Sequence, residues 1–171
     1  MLDAAKARRP LANSLARMNL IGPNLNRVAE CKTVLRSLPA WFGIEESLLM
    51  YAEDTARHPT FAITEEEMII GFVTLLEHFK DSWELHCMAI LADSRNKGYG
   101  STLLSHAEQW LSQRKVKFLQ VKTVAQTSKS AAYAETREFY TAKGFTSLEI
   151  FPTLWAPENP ALQLIKALNA S

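Results

Sequence analysis

Cysteine is scarce in this sequence: 171 residues contain only Cys31 and Cys87. The two lack CxxC spacing and have no His pair nearby, so neither a disulfide framework nor a zinc site is indicated. A metal-free protein of a reducing cytoplasm is expected. Charge of one sign is lacking as well, since 19 Lys+Arg face 18 Asp+Glu for a formal charge of +1. Without a global field, nucleic acid and anionic membrane are not the expected partners; a small molecule or another protein is. No run approaches the roughly 18 apolar residues of a membrane helix, and the N-terminus has no apolar signal core. Six glycines and seven prolines are scattered at apparent element boundaries, with no repeat and no low-complexity linker.

What remains, 47% hydrophobic and 22% charged residues, suffices for one sizeable core. Residues 1–17 are Ala-rich and carry Lys6, Arg8, Arg9 and Arg17 against Asp3. They are expected to form a flexible N-terminal extension, with 18–171 a single domain. A weak strand is expected at Leu25 to Val28, then a helix over 29–38 whose Val34, Leu35 and Leu38 share a face. A second helix over 44–57 begins with Glu45 and Glu46 and ends with Arg57, signs that suit its dipole. Two antiparallel strands within 60–79 meet at an acidic turn, Glu65 to Glu67. The run Trp83 to Leu91 predicts a buried central strand. Leu103, Leu104, Ala107, Trp110 and Leu111 predict a helix over 99–113, and a strand over 116–124 follows closely enough to be parallel to the central one. A helix over 130–143 stops at Gly144, and two strands within 145–168 close a mixed α/β fold.

Between the central strand and the amphipathic helix lies Arg95-Asn96-Lys97-Gly98-Tyr99-Gly100. Such a corner aims unpaired backbone N–H groups and a helix dipole at an anion, and a pyrophosphate is the natural guest. Gly98 and Gly100 permit close approach of the backbone, and Arg95 and Lys97 add positive charge. The pattern is neither the triphosphate loop G-x-x-x-x-G-K-[ST] nor the dinucleotide fingerprint G-x-G-x-x-G.

R-x-x-G-x-G opening a helix, followed later by Tyr140-Thr141-Ala142-Lys143-Gly144-Phe145, resembles the signature of the GCN5-related N-acetyltransferases (GNAT). The resemblance implies a mixed sheet of about six to seven strands with a splayed parallel pair, flanked by about four helices. It also implies acetyl-coenzyme A as cosubstrate, an amine acceptor, and a monomer or homodimer. By the same resemblance Met88, Ala89, Ile90 and Leu91 meet the pantetheine arm through their main chain, and amides around Asn96 to Ser101 hold the pyrophosphate. Tyr140 is implied as the acid that protonates the departing thiolate. The chain departs from the family pattern seven residues earlier, where Tyr133 stands in place of a frequent Asn. Arg137, one turn after Tyr133, is either a phosphate contact or a solvated cation. Leu38 to Gly43, Leu154-Trp155 and Asn159-Pro160 resemble a subgroup of small bacterial acetyltransferases with unassigned acceptors.

Direct transfer needs a deprotonated amine, whose free pKa is about 10, so a base is required. Glu84 is the first candidate by its likeness to the catalytic glutamate of the histone acetyltransferase branch. His86, on the same face of a regular strand, is the second. Glu45, Glu46, Glu53, Asp54, Glu65, Glu66 and Glu67, against Arg57 alone, would favour a cationic acceptor beside the first two helices. Trp41, Phe42, Tyr51 and Trp155 would supply an aromatic wall or core. A non-catalytic acetyl-coenzyme A-binding regulator is the alternative function.

Overall fold

A computed structural model describes residues 18–168; the expected extension over 1–17 lies outside the described residues. The chain runs β1 (Met18–Ile21), α1 (Val28–Arg36), α2 (Glu45–Arg57), β2 (Thr60–Glu65), β3 (Met68–Phe79) and β4 (Ser82–Ile90). It continues through a 3-10 turn at Ala92–Ser94, then α3 (Tyr99–Gln113), β5 (Phe118–Val124), α4 (Ala131–Ala142), β6 (Thr146–Ala156) and β7 (Asn159–Ala167). The strands form one seven-stranded sheet in the order β1-β2-β3-β4-β5-β7-β6, with β4 and β5 parallel and the other pairs antiparallel. This is the expected mixed sheet with four α-helices.

The strand expected at Leu25 to Val28 does not form. The free edge of β2 is taken by Met18–Ile21, which pairs from Met18↔Glu65 to Ile21↔Ala62 and leaves no ladder partner for a later segment. Leu25 is instead a buried anchor, and Val28 opens α1. The β2–β3 turn is made by Glu66 and Glu67, both at positive φ (47° and 71°), as a tight two-residue hairpin connection requires.

Two apolar layers pack on the two faces of the sheet. Leu103, Leu104, Ala107 and Leu111 recur at helical spacing, so α3 buries one stripe, together with Phe61, Leu75, Leu85 and Leu119. On the other side Cys31, Val34 and Leu35 of α1 and Leu48 and Ala52 of α2 cover Ala62, Phe72, Cys87 and Ala89. Fully burying a side chain such as Phe72 is worth about 1.5–3 kcal/mol, which ties the first two helices to the sheet. α4 ends at Gly144, whose φ of 87° lets its N–H and that of Phe145 reach the carbonyls of Thr141 and Tyr140.

Two irregularities shape the centre of the sheet. Thr74 pairs with Cys87 but Leu75 pairs with Leu85, so His86 is an extra residue, a bulge in β4. The bulge reverses the alternation: Trp83 and Leu85 join the α3 layer, whereas Cys87 and Ala89 join the α1–α2 layer. Secondly, β4 and β5 are paired only from Ser82↔Phe118 to Leu85↔Val121. Beyond that point β4 stays on β3 as far as Ile90↔Gly71, and β5 stays on β7 as far as Val124↔Ala161. The parallel pair therefore parts, as the splayed geometry requires.

Candidate active site

A cleft of about 1110 Å³ opens where the two strands separate. Met88, Ala89 and Ile90 line it from β4, and Lys122, Thr123 and Val124 from β5. Leu91 does not line it: its N–H is taken by the Ile70 carbonyl at 2.7 Å, because the strand is still being held to β3 there.

Arg95, Asn96, Gly98, Tyr99, Gly100 and Ser101 wall one end, whereas Lys97 is exposed away from the cleft. Asn96 (φ 61°) and Gly98 (φ 89°) are both left-handed, which turns the chain sharply into α3. α3 has no side-chain cap, and among the described residues no N–H from Asn96 to Ser101 reaches a protein acceptor. Such a row of free donors at a helix N-terminus is an anion cradle. Gly100 serves differently from Gly98: a Cβ there would lie 3.6 Å from Phe139 and 3.9 Å from Ile90, filling cleft space between loop and strand.

Arg95 stacks its guanidinium 4.3 Å from the Trp41 ring centroid and donates to Glu135 at 3.3 Å. Trp41 is further tied to α4, its indole N–H donating to Thr136 Oγ1 at 2.9 Å and its carbonyl accepting from the Tyr133 hydroxyl at 3.1 Å. The loop before α2 thus bridges the cleft to α4. Tyr133 lines the cleft with its hydroxyl committed to Trp41. Arg137 lies outside the cleft, where Nη1 donates to the Val124 carbonyl at 2.8 Å and holds α4 to the end of β5. Of the two readings of Arg137, phosphate contact therefore loses its geometric basis. Tyr99 donates to the Glu65 carboxylate, which raises its pKa and ties α3 to β2.

Tyr140 is 5% exposed, packed edge-on between Phe139 and Phe145 at 5.3 and 5.4 Å between centroids. It is core and cleft wall at once, for it also lines the cavity; no side-chain N or O among the described residues is both fully buried and unpartnered, so its hydroxyl, which makes no hydrogen bond to them, opens on the cleft. Burial, helped slightly by Cys87, pushes the phenol well above its ordinary range, so it stays protonated at working pH.

The two base candidates part company. Glu84 does not line the cleft; its Oε2 accepts from Lys122 Nζ and from His78 Nε2, each at 2.6 Å. A carboxylate clamped by two nitrogen donors and set outside the cleft is placed as an ion-pair partner, which counts against the first expectation. His86, on the bulge, does line the cleft, 5.2 Å from the Tyr51 ring. Its Nε2 is 2.9 Å from Asp54 Oδ2. A carboxylate can only accept, so Nε2 carries a proton, and in the neutral ring Nδ1 keeps its lone pair.

A model of the acetyltransferase (GNAT) family matches residues 30–145. The chain belongs to this family. No curated protein matches it at a significant level. The fold is similar to that of a GNAT-family protein of Desulfovibrio desulfuricans (15% identity, TM-score 0.79, covering 90% of this chain and 100% of that one). It is also similar to the ribosomal-protein-S18-alanine N-acetyltransferase of Escherichia coli (18%, 0.70, 91% and 96%) and an aminoglycoside 6'-N-acetyltransferase of Enterococcus faecium (17%, 0.67, 88% and 98%). A further aminoglycoside 6'-N-acetyltransferase of the same fold is complexed with coenzyme A (16%, 0.67, 91% and 98%).

The acyl donor of a GNAT acetyltransferase is acetyl-coenzyme A, and the residues present fit it: free amides for a diphosphate, and a cleft that runs from them to where β4 and β5 part. Among the described residues no metal-ligating cluster occurs. Asp54 is the site residue that sequence reasoning overlooked as His86's partner, because 32 residues separate the pair and no motif spacing links them. Of the two readings of the seven acids beside α1 and α2, a groove for a cationic acceptor or helix-end and turn acids facing water, the second fits the structure, since none of the seven lines the cleft. Glu45 pairs with Arg36, Glu53 with Arg57, Asp54 with His86 and Glu65 with Tyr99, while Glu66 and Glu67 form the hairpin turn. Trp41, Phe42, Tyr51 and Trp155 all line it, and burial pushes the Tyr51 phenol up to about 12.

Proposed function

We propose that this chain is an N-acetyltransferase that moves an acetyl group from acetyl-coenzyme A directly to a primary amine of a small molecule or peptide. The observation that carries the reading is that a carboxylate-held histidine and an unpartnered, protonated tyrosine open on the cleft that begins at the free amides of Asn96 to Ser101.

When bound, the thioester supplies an electrophilic carbonyl carbon and a thiolate leaving group. His86 Nδ1 accepts a proton from the amine, and the Asp54 carboxylate offsets the charge that forms on the ring. The amine nitrogen bonds to the carbonyl carbon as the carbon–sulfur bond breaks. The Tyr140 hydroxyl then gives its proton to the departing sulfur, and the second proton of the nitrogen returns to the phenolate, leaving an amide and a free thiol. An acyl-cysteine route is opposed by Cys87: it lines the cleft, but burial raises its pKa far enough to keep the thiol protonated and a poor nucleophile.

The test is thiol release from acetyl-coenzyme A across a panel of amines. Release that depends on an amine, and that falls in His86→Ala, is expected. Should acetyl-coenzyme A raise the melting temperature while no amine releases thiol, the chain would be a binding regulator instead.

A further inference from the structure

The acceptor's chemistry can be read from what the cleft exposes and from the charges it lacks, taking the transfer reading above as the starting point. Ile44 (64% exposed), Leu154 (50%) and Trp155 (45%) are large apolar side chains left open to water, and all three face this cleft. Phe42 and Tyr51 line it beside them, with their rings edge-on at 6.0 Å. Apolar surface concentrated in a concave site gains most from an apolar guest.

The charges point the same way. Lys122 lines the cleft and no acid of α2 or of the β2–β3 hairpin does. The carboxylates that do line it, Glu135 and Glu138, both stand on α4, and Glu135 is engaged by Arg95. Lys122 and His86 are each already paired with a carboxylate, Glu84 and Asp54, so neither pair leaves a free carboxylate for a second ammonium on the acceptor. No carboxylate among the aromatic side chains would offset it.

We infer that the acceptor is a monoamine on an aromatic or branched apolar body, without a second cationic group. The bonds made and broken are those of the transfer already given. Polycations are disfavoured because, of the cleft-lining carboxylates among the described residues, Glu135 is engaged by Arg95 and Glu138 alone is left to meet a second ammonium, and small hydrophilic amines are disfavoured by the exposed apolar wall.

The experiment compares kcat/KM for thiol release by the full chain with 2-phenylethylamine, spermidine and kanamycin. Phenylethylamine is expected to exceed both polycations by about 100-fold. Trp155→Ala should lower the phenylethylamine value about 10-fold while leaving the melting-temperature rise caused by acetyl-coenzyme A in place. Ser47, half-buried in the first turn of α2, lines the cleft. Ser47→Glu, which adds the missing carboxylate, should raise turnover of spermidine about 10-fold. Spermidine or kanamycin matching phenylethylamine in the unmodified protein would overturn the inference and leave acetyl transfer standing, as would an unaffected Trp155→Ala variant. Thiol release with none of the three, despite a cofactor-induced rise in melting temperature, would instead overturn the transfer reading itself.

Discussion

Replacing Tyr140 by phenylalanine removes one oxygen from a side chain that is 5% exposed. The ring contacts with Phe139 and Phe145 survive, and the hydroxyl, open on the cleft, gives up no hydrogen bond to the described residues. The fold should therefore lose less than about 1 kcal/mol. Turnover should suffer far more. A positioned general acid contributes about 100-fold or more, so kcat for amine-dependent thiol release should fall by at least about that factor, or about 3 kcal/mol of barrier. KM for acetyl-coenzyme A should stay within about twofold, because the phenol acts on the leaving sulfur and not on the diphosphate. Burial raises the Tyr140 pKa, so in the unmodified enzyme the phenol keeps its proton past the ordinary value of about 10. Loss of this acid should therefore not limit the rate below that pH. Steady-state thiol release, paired with thermal melting of the same preparations, measures both effects. A variant with unchanged melting temperature and kcat within about twofold of the original would refute the assignment of Tyr140 as the acid.

Three further outcomes follow from the geometry. His86→Ala should lower kcat/KM about 100-fold, measured by amine-dependent thiol release. Glu84→Gln should leave the shape of the pH–rate profile intact but cost about 1–3 kcal/mol in urea denaturation, because Lys122, 21% exposed, loses its carboxylate; an altered profile in Glu84→Gln alone would restore Glu84 as the base. Gly98→Ala meets no atom within 4 Å, so its cost is the strain of a φ of 89°. It should destabilise by about 1–2 kcal/mol and weaken acetyl-coenzyme A binding in calorimetry; unchanged binding would detach the cofactor from this loop. Finally, stability should be full below about pH 9 and decline as pH rises. Burial raises Cys31 to about 11 and Tyr51 to about 12, and raises Cys87 and Tyr140 as well. The unfolded chain thus releases these protons first, and Tyr51 alone accounts for up to about 3 kcal/mol once its folded form also ionises. Urea unfolding at rising pH checks this, and a flat stability up to about pH 11 would contradict it.

The elements that proved legible in the sequence are those whose signal is local. Leu103, Leu104, Ala107 and Leu111 announce α3 because one stripe of a helix must meet the core, and the element forms over Tyr99–Gln113. Gly98 and Gly144 mark where the chain turns left-handed, and both do so. Leu25 misled because apolar character marks burial without saying whether a ladder partner is free. That partner, the edge of β2, had been taken by residues seven to four positions earlier.

The chain's own order of residues determined the anion-cradling corner, the helix that follows it, and the tyrosine a short distance before Gly144, since each depends on dihedral preference and periodicity within a few residues. Tertiary structure alone decided which side chains share the cleft. The register of β3 against β4 makes His86 a bulge, and so sends Cys87 and Ala89 to the opposite layer from Leu85. Folding brings Asp54 to His86 and surrounds Glu84 with Lys122 and His78, while turning the acids of α2 and the hairpin away from the cavity. Pairings of this kind rest on strand register and helix packing across tens of residues, where spacing along the chain carries no information about direction in space.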